Sequence, residues 1–168
     1  MPQPTDSQVI NVCGSHPIAT AAKYAGSYHP LVIVVDETSY GWSVDDGYST
    51  TYSVDDRWVT NSWTSPLQLV VCVGAETAVR VSSCGYYNAE DGAYGQVVRY
   101  KYSKAVRVKV AKTGKTLQSK TFYGSTPSCS SSFTVPWGAP PPWKIYGGDP
   151  NDSSINTYAT KVSTQKAK

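Results

Sequence analysis

The stretch LQLVVCVG at residues 67–74 is apolar at almost every position, and LVIVV at 31–35 repeats the pattern. A strand with one wet face alternates apolar and polar residues; an unbroken apolar run of strand length suits a central strand covered on both faces. Around these two runs the chain carries further strand signals. SYGWSVDDGYSTTYSVDD at 39–56 reads as a hairpin about the turn signal Asp46-Gly47. AVRVSSCGYY at 78–87 alternates Val79 and Val81 with Arg80 and Ser82, and NAEDGAYG at 88–95 follows as a loop. Val98, Tyr100 and Tyr102 then alternate with Arg99 and Lys101, and Val106, Val108 and Val110 with Arg107 and Lys109, before Thr113-Gly114 turns the chain back through Leu117 to Phe122.

Helix formers are few, with one Met, little Leu and little Glu against abundant Val, Thr and Tyr. One short helical possibility remains at Ile18–Tyr24. The pattern predicts an all-β fold, a single-domain antiparallel β-sandwich of about seven to nine strands, since each one-sided strand needs a second sheet for its apolar face. Residues 1–30 are expected to form an arm or wrapping segment, 31–160 the sandwich, and 161–168 a polar tail, with a Ser- and Pro-rich, partly coiled stretch from Pro127 onward.

Four cysteines, Cys13, Cys72, Cys84 and Cys129, lie scattered with no CxxC pair, and both histidines precede proline as His16-Pro17 and His29-Pro30. A zinc site is not expected from such spacing; two disulfides are. Four cysteines allow three pairings; Cys72 and Cys84, on consecutive strands, could face each other across a hairpin, which would leave Cys13 to meet Cys129. No apolar run is long enough to span a membrane, and MPQPTDSQ has neither the basic nor the apolar region of a signal peptide, so on this reading any export signal has been left out or removed, with a cytosolic protein starting at Met1 as the alternative that the cysteines arbitrate.

Charged residues are only 16% of the chain, against roughly 25% usually, so neutral polar groups must dress the surface. Thirteen Tyr and 5 Trp against 2 Phe give most rings a polar handle suited to contact. Residues 1–78 are acidic and 79–168 basic, a division that fits head-to-tail contact with copies of the same chain. The basic, Tyr-bearing ribbon from Arg99 to Lys120 has the elements of a nucleic-acid track, yet alternate placement of Arg99, Lys101, Arg107 and Lys109 reads better as a solvated sheet face, so no nucleic acid is expected.

Asp45, Asp46, Asp55 and Asp56 offer hard oxygen ligands but not the DxDxDG spacing of a calcium loop, and turn residues without an ion are the simpler reading. No metal and no cofactor is expected. Catalytic signatures such as GxSxG, HExxH or a Gly-rich phosphate loop are missing, so the chain is not expected to be an enzyme. Glycans are the other candidate partner: of the aromatics Trp42, Trp58, Trp63, Trp137 and Trp143, the last two, in WGAPPPW, are expected to be exposed, because prolines keep that stretch out of sheet pairing; Tyr86 and Tyr87 join them as possible contact residues. The sequon Asn151-Asp152-Ser153 lies in a surface-like segment.

HPLVIVV (29–35), SPLQLVVCVG (65–74), CGYY (84–87), VRVKVAKTGKTLQSKTFYGSTP (106–127) and the following Cys129 together resemble a family of uncharacterised bacterial proteins with similar HPLVV, LQLVVCVG and TGK…TF-G…P-C stretches. The likeness spans roughly residues 20–160 and implies an extracytoplasmic place with no activity. The expectation is therefore a non-enzymatic extracellular or cell-surface β-domain, structural or adhesive and self-associating into a surface assembly or filament, with a carbohydrate-binding module as the alternative.

Overall fold

The computed structural model describes residues 4–36, 52–54, 67–135 and 137–166. Most of the predicted hairpin at 39–56, all four of its aspartates, and Trp42, Trp58 and Trp63 lie outside the described residues. Seven strands and two helices are described: α1 (Asp6–Cys13), β1 (Leu31–Asp36), β2 (Tyr52–Val54), β3 (Leu69–Val73), β4 (Thr77–Asn88), β5 (Tyr94–Val110), β6 (Thr116–Tyr123), β7 (Trp143–Tyr146) and α2 (Asp152–Ser163). The strand-rich reading holds, but the sheet is mixed: β1 runs parallel to β3, and β7 parallel to β5.

The chain divides into two compact units, the first made of Met1–Glu76, Lys104–Phe122 and Asp152–Lys168, the second of Thr77–Ser103 and Tyr123–Asn151. Within the first unit, β1 pairs with β2 antiparallel and with β3 parallel, and β3 pairs antiparallel with the Val106–Val110 part of β5. Alternation sends Leu31, Ile33, Leu69, Val71, Val73, Val106 and Val108 to one face, where they pack with Ile155, Ala159 and Val162 of α2 and with Phe122. Val32, Val34 and Val70 point to the other face and meet Val9 and Val12 of α1, together with Ile18, Ala21 and Ala111. Both apolar runs are thus buried on both sides, as their lack of alternation requires, and what covers each side is a helix rather than a second sheet.

Each helix is written locally. Thr5 caps α1 by accepting from the Gln8 backbone N–H while the Gln8 side chain accepts from the Thr5 N–H at 2.9 Å, a reciprocal capping box. The helical possibility at Ile18–Tyr24 is not realised, because the Ile18 and Ala22 N–H groups donate to the carbonyls of Ala111 and Leu67. In α2, Ile155, Ala159 and Val162 recur at helical spacing, with Asp152 in the first turn and Lys161 in the last, each favourable to the helix dipole. The expected tail at 161–168 therefore begins inside a helix.

Three polar residues are buried among the described residues of this unit, His29, Lys109 and Ser163. His29 is fully buried, its Nδ1 2.8 Å from Gln68 Oε1, its Nε2 2.6 Å from the Gln165 carbonyl, and its backbone N–H donating to the Ser163 carbonyl at 2.7 Å, so one residue ties the entry to β1, the entry to β3 and the end of α2. Lys109, expected on a solvated face, is 3% exposed. Its register partner is Val70, on the face that α1 covers. The ammonium donates to the Cys13 carbonyl (3.1 Å) and the Ser15 hydroxyl (2.8 Å), placing a cation at the C-terminal end of α1, where the dipole favours it. Burial, and then the charge of Arg107, hold its pKa below the ordinary lysine value. The Thr113-Gly114 turn falls where the sequence placed it; Gly114 adopts φ +66°, and a Cβ there would press on the Ser15 carbonyl.

In the second unit β4 pairs antiparallel with the Tyr94–Ser103 part of β5, interrupted by two irregularities of register, at Arg80/Ser82 and Ser83/Gly85. On its other side β5 takes β7, with Val97 opposite Trp143 and Tyr100 opposite Tyr146. All four cysteines are bonded, but as Cys13–Cys72 and Cys84–Cys129. Of the three pairings open to the sequence, Cys72–Cys84 is not the one formed, because β3 and β4, although consecutive, are not register partners: β3 lies between β1 and β5. Each unit so contains one disulfide, Cys13 joining α1 to β3 and Cys84 joining β4 to the segment after β6.

Two outcomes follow from this packing. Leu69→Ala, at a fully buried position, is expected to cost about 2–5 kcal/mol in urea unfolding, whereas Val81→Thr, at an exposed one, should stay within about 0.5 kcal/mol. The second concerns pH. Because the folded Lys109 pKa lies below its unfolded value of 10.5, the native state holds fewer protons in that window and stability rises with pH up to it. Burial raises the Tyr158 pKa above 10.0, so its contribution is complete below that value and is lost as pH climbs through the folded pKa. Urea midpoints across pH 8–11 should lose the rise in Lys109→Met and the fall in Tyr158→Phe; variants that track the wild type would refute the assignment.

A tyrosine face as the candidate functional site

In the second unit the extra residues of both register irregularities lie in β4, so β5 keeps its alternation from Tyr94 to Tyr102. Tyr94, Gln96, Val98, Tyr100 and Tyr102 consequently share one face. The register adds Tyr86 opposite Gln96, Arg80 opposite Tyr100, Lys144 beside Val98 and Tyr146 beside Tyr100. Five tyrosines and two cations thus line one face of a three-stranded stretch.

The rings confirm the placement. Tyr146 stacks on Tyr100 and on Tyr102, each at 5.5 Å between centroids and with interplanar angles of 30° and 12°. Tyr86 and Tyr94 stack at 5.4 Å. The Lys144 ammonium stands 5.8 Å from the Tyr100 ring centroid. These side chains are open to solvent to an unusual degree for aromatics: Tyr94 is 64% exposed, Tyr86 62% and Tyr146 45%. Val98 is buried among them as a floor.

The opposite face carries polar and cation–ring contacts. Arg99 donates through Nε and Nη2 to the Ser82 hydroxyl and through Nη1 to the Pro127 carbonyl, fixing the segment after β6. Lys101 sits 4.2 Å over the Tyr123 ring. The alternation in VVRYKY predicts a solvated face for its cations; in the structure Arg99, Tyr100, Lys101 and Tyr102 are all half-buried, and it is Tyr86, Tyr94 and Tyr146 that open the tyrosine side to solvent. Arginine and lysine carry long apolar stems, and hydroxyl or carbonyl acceptors near their heads allow such burial.

The four aromatics singled out from sequence separate into two pairs. Trp137 is 89% exposed and Tyr86 belongs to the open face. Tyr87, the next residue on β4, points the other way, its ring edge-on to Phe133 at 4.6 Å and its hydroxyl donating to the Ser130 carbonyl at 3.0 Å. Trp143 is 7% exposed, correcting its expected exposure: it lies in β7 opposite Val97, and its indole N–H donates to the Ala139 carbonyl at 2.9 Å. The flanking prolines left sheet pairing available to Trp143 because they precede it and cost it no donor of its own. Tyr94, Tyr100, Tyr102 and Tyr146 were not singled out as contact residues; the period-two spacing of the first three was the signal available.

In the first unit a cavity of about 210 Å³ is lined by Cys13, Val34, Cys72, Val73, Gly74, Ala105 and Arg107. It presents a disulfide and one guanidinium, and no carboxylate or imidazole among these lining residues. Among the described residues no three His, Cys, Asp or Glu side chains gather as a metal site would need, and no helix is long and apolar enough to cross a membrane.

Comparison of the chain with protein-family models, with curated proteins and with solved structures finds no match. The contrast between the tryptophans is directly measurable: Trp143→Ala should cost about 3–5 kcal/mol in chemical unfolding, and Trp137→Ala less than about 0.5, the reverse ranking being incompatible with the packing described.

Proposed function

We propose that the protein is a non-enzymatic, extracytoplasmic adhesive domain that works through the tyrosine face of its second unit. The observation that carries this reading is the set of stacked, solvent-open rings of Tyr86, Tyr94 and Tyr146 beside Tyr100 and Tyr102. Solvated aromatic surface is retained where it meets a partner, and phenol rings supply broad contact area at little conformational cost. Two disulfides support an oxidising compartment outside the cytoplasm, as does the resemblance to bacterial extracytoplasmic domains.

Carbohydrate is the partner class that a stacked-ring platform suits best. A structural, self-associating role is the second reading, favoured by β4: this 12-residue strand pairs with β5 alone among the described strands and exposes Val79 (37%) and Val81 (39%). Such an edge is a template for strand addition, although bulges and Arg80 on it discourage pairing.

The two readings separate in one set of samples. Non-reduced wild type, Tyr94→Ala/Tyr146→Ala and Val81→Lys would be screened on a glycan array and, across a concentration range, by light scattering with negative-stain microscopy. The adhesive reading expects glycan binding that the tyrosine pair abolishes and Val81→Lys leaves intact, with a monomer throughout. Ordered oligomers that Val81→Lys disperses, with no glycan bound, would replace it by the structural reading.

A further inference from the structure

The geometry points to a more specific partner for this face: an acidic polysaccharide, a chain bearing carboxylates on neutral sugar rings, lying along β5. The inference rests on the adhesive reading above and adds the chemical class of the ligand. Length comes first. From Tyr94 to Tyr102 the face extends about 26 Å at the usual rise of a strand, which exceeds a single sugar and suits a chain. The surface chemistry comes next. Sugar rings present C–H faces to aromatic rings and hydroxyls to phenol and amide groups, and here Tyr146, Tyr100 and Tyr102 form a continuous stack with Tyr86, Tyr94 and Gln96 further along the same face.

Charge then selects among glycans. Lys144 and Arg80 flank Tyr100 from the two neighbouring strands, both exposed and neither in an ion pair among the described residues. The register places no carboxylate among the residues of this face. An uncompensated pair of cations set within neutral rings complements an anion of low charge density. Nucleic acid fits less well, since a phosphate on every nucleotide calls for a denser basic track, and the neighbouring cations Arg99 and Lys101 face the other way, toward Ser82, Pro127 and Tyr123.

The test is calorimetric titration of the full, disulfide-intact chain with an oligogalacturonate, with a malto-oligosaccharide of the same length as the neutral probe, and with a single-stranded oligothymidylate. The acidic glycan should bind about tenfold or more tighter than the neutral one. Lys144→Gln should bring the two together and flatten the salt dependence. Tyr146→Ala should abolish both, with Tyr146→Phe retaining most of the affinity and a cooperative urea transition kept in both variants showing that the sheet is intact. Equal affinity for the acidic and neutral chains would overturn the acidic specificity and leave the adhesive reading standing. Tighter binding of the oligonucleotide through the same residues would replace the glycan by nucleic acid. Absence of oligogalacturonate binding, or binding that ignores both substitutions, overturns the inference, and the glycan array and light scattering then judge the adhesive reading separately.

Discussion

The parallel pairing of β1 with β3 is the constraint from which the first unit follows. Two strands that run the same way with apolar side chains on both faces cannot leave either face in water, so each face must acquire a cover. The odd-numbered side chains take α2 and the even-numbered ones take α1, although these helices stand near opposite ends of the sequence. Neither helix is long enough to be stable by itself; both are held by what they cover. Burial of Ile33, Leu69, Val70 and Val71 to 2% exposure or less gives the arrangement its driving force, each such side chain contributing about 1.5–3 kcal/mol over exposure.

Much of this was written in the sequence in plain terms. LVIVV and LQLVVCVG gave β1 and β3 nearly to the residue, Thr113-Gly114 gave the turn into β6, and the even cysteine count gave two disulfides. The architecture was misjudged for a reason those same runs contained. A sandwich strand has one face on the core and one in water and so must alternate; strands apolar at every position ask for cover on both sides. The helices that supply it were legible too, in Thr5-x-x-Gln8 and in the spacing of Ile155, Ala159 and Val162, but their low content of strong helix formers hid them. Disulfide pairing was beyond reach, because it depends on which strands become neighbours in the sheet and not on their order in the chain.

Alternation reports which residues share a face and is silent on which face is wet. Arg99 and Lys101 against Tyr100 and Tyr102 form a faultless period of two, yet all four are half-buried, so neither side of this stretch is simply the wet one. The segment after β6 is fastened to Arg99 through the Pro127 carbonyl and to Cys84 through Cys129, while on the other side Tyr146 stacks on Tyr100 and Tyr102. One side of the stretch that carries the candidate site is thus shaped by where a coil segment is fastened, at Pro127, 28 residues from Arg99 in the chain.

The end of α1 is fastened twice at one residue. The Cys13 sulfur is bonded to β3 and the Cys13 carbonyl is held by the Lys109 ammonium from β5, one attachment covalent and sensitive to electrons, the other electrostatic and indifferent to them. A thiol reagent that opens the first leaves the second in place, and the released sulfurs remain neighbours with their backbones still positioned. Reoxidation in such a geometry is an intramolecular reaction between groups already at hand, so this staple behaves as a self-closing one: it is the folded helix that brings the cysteines together, as much as the cysteines that keep the helix.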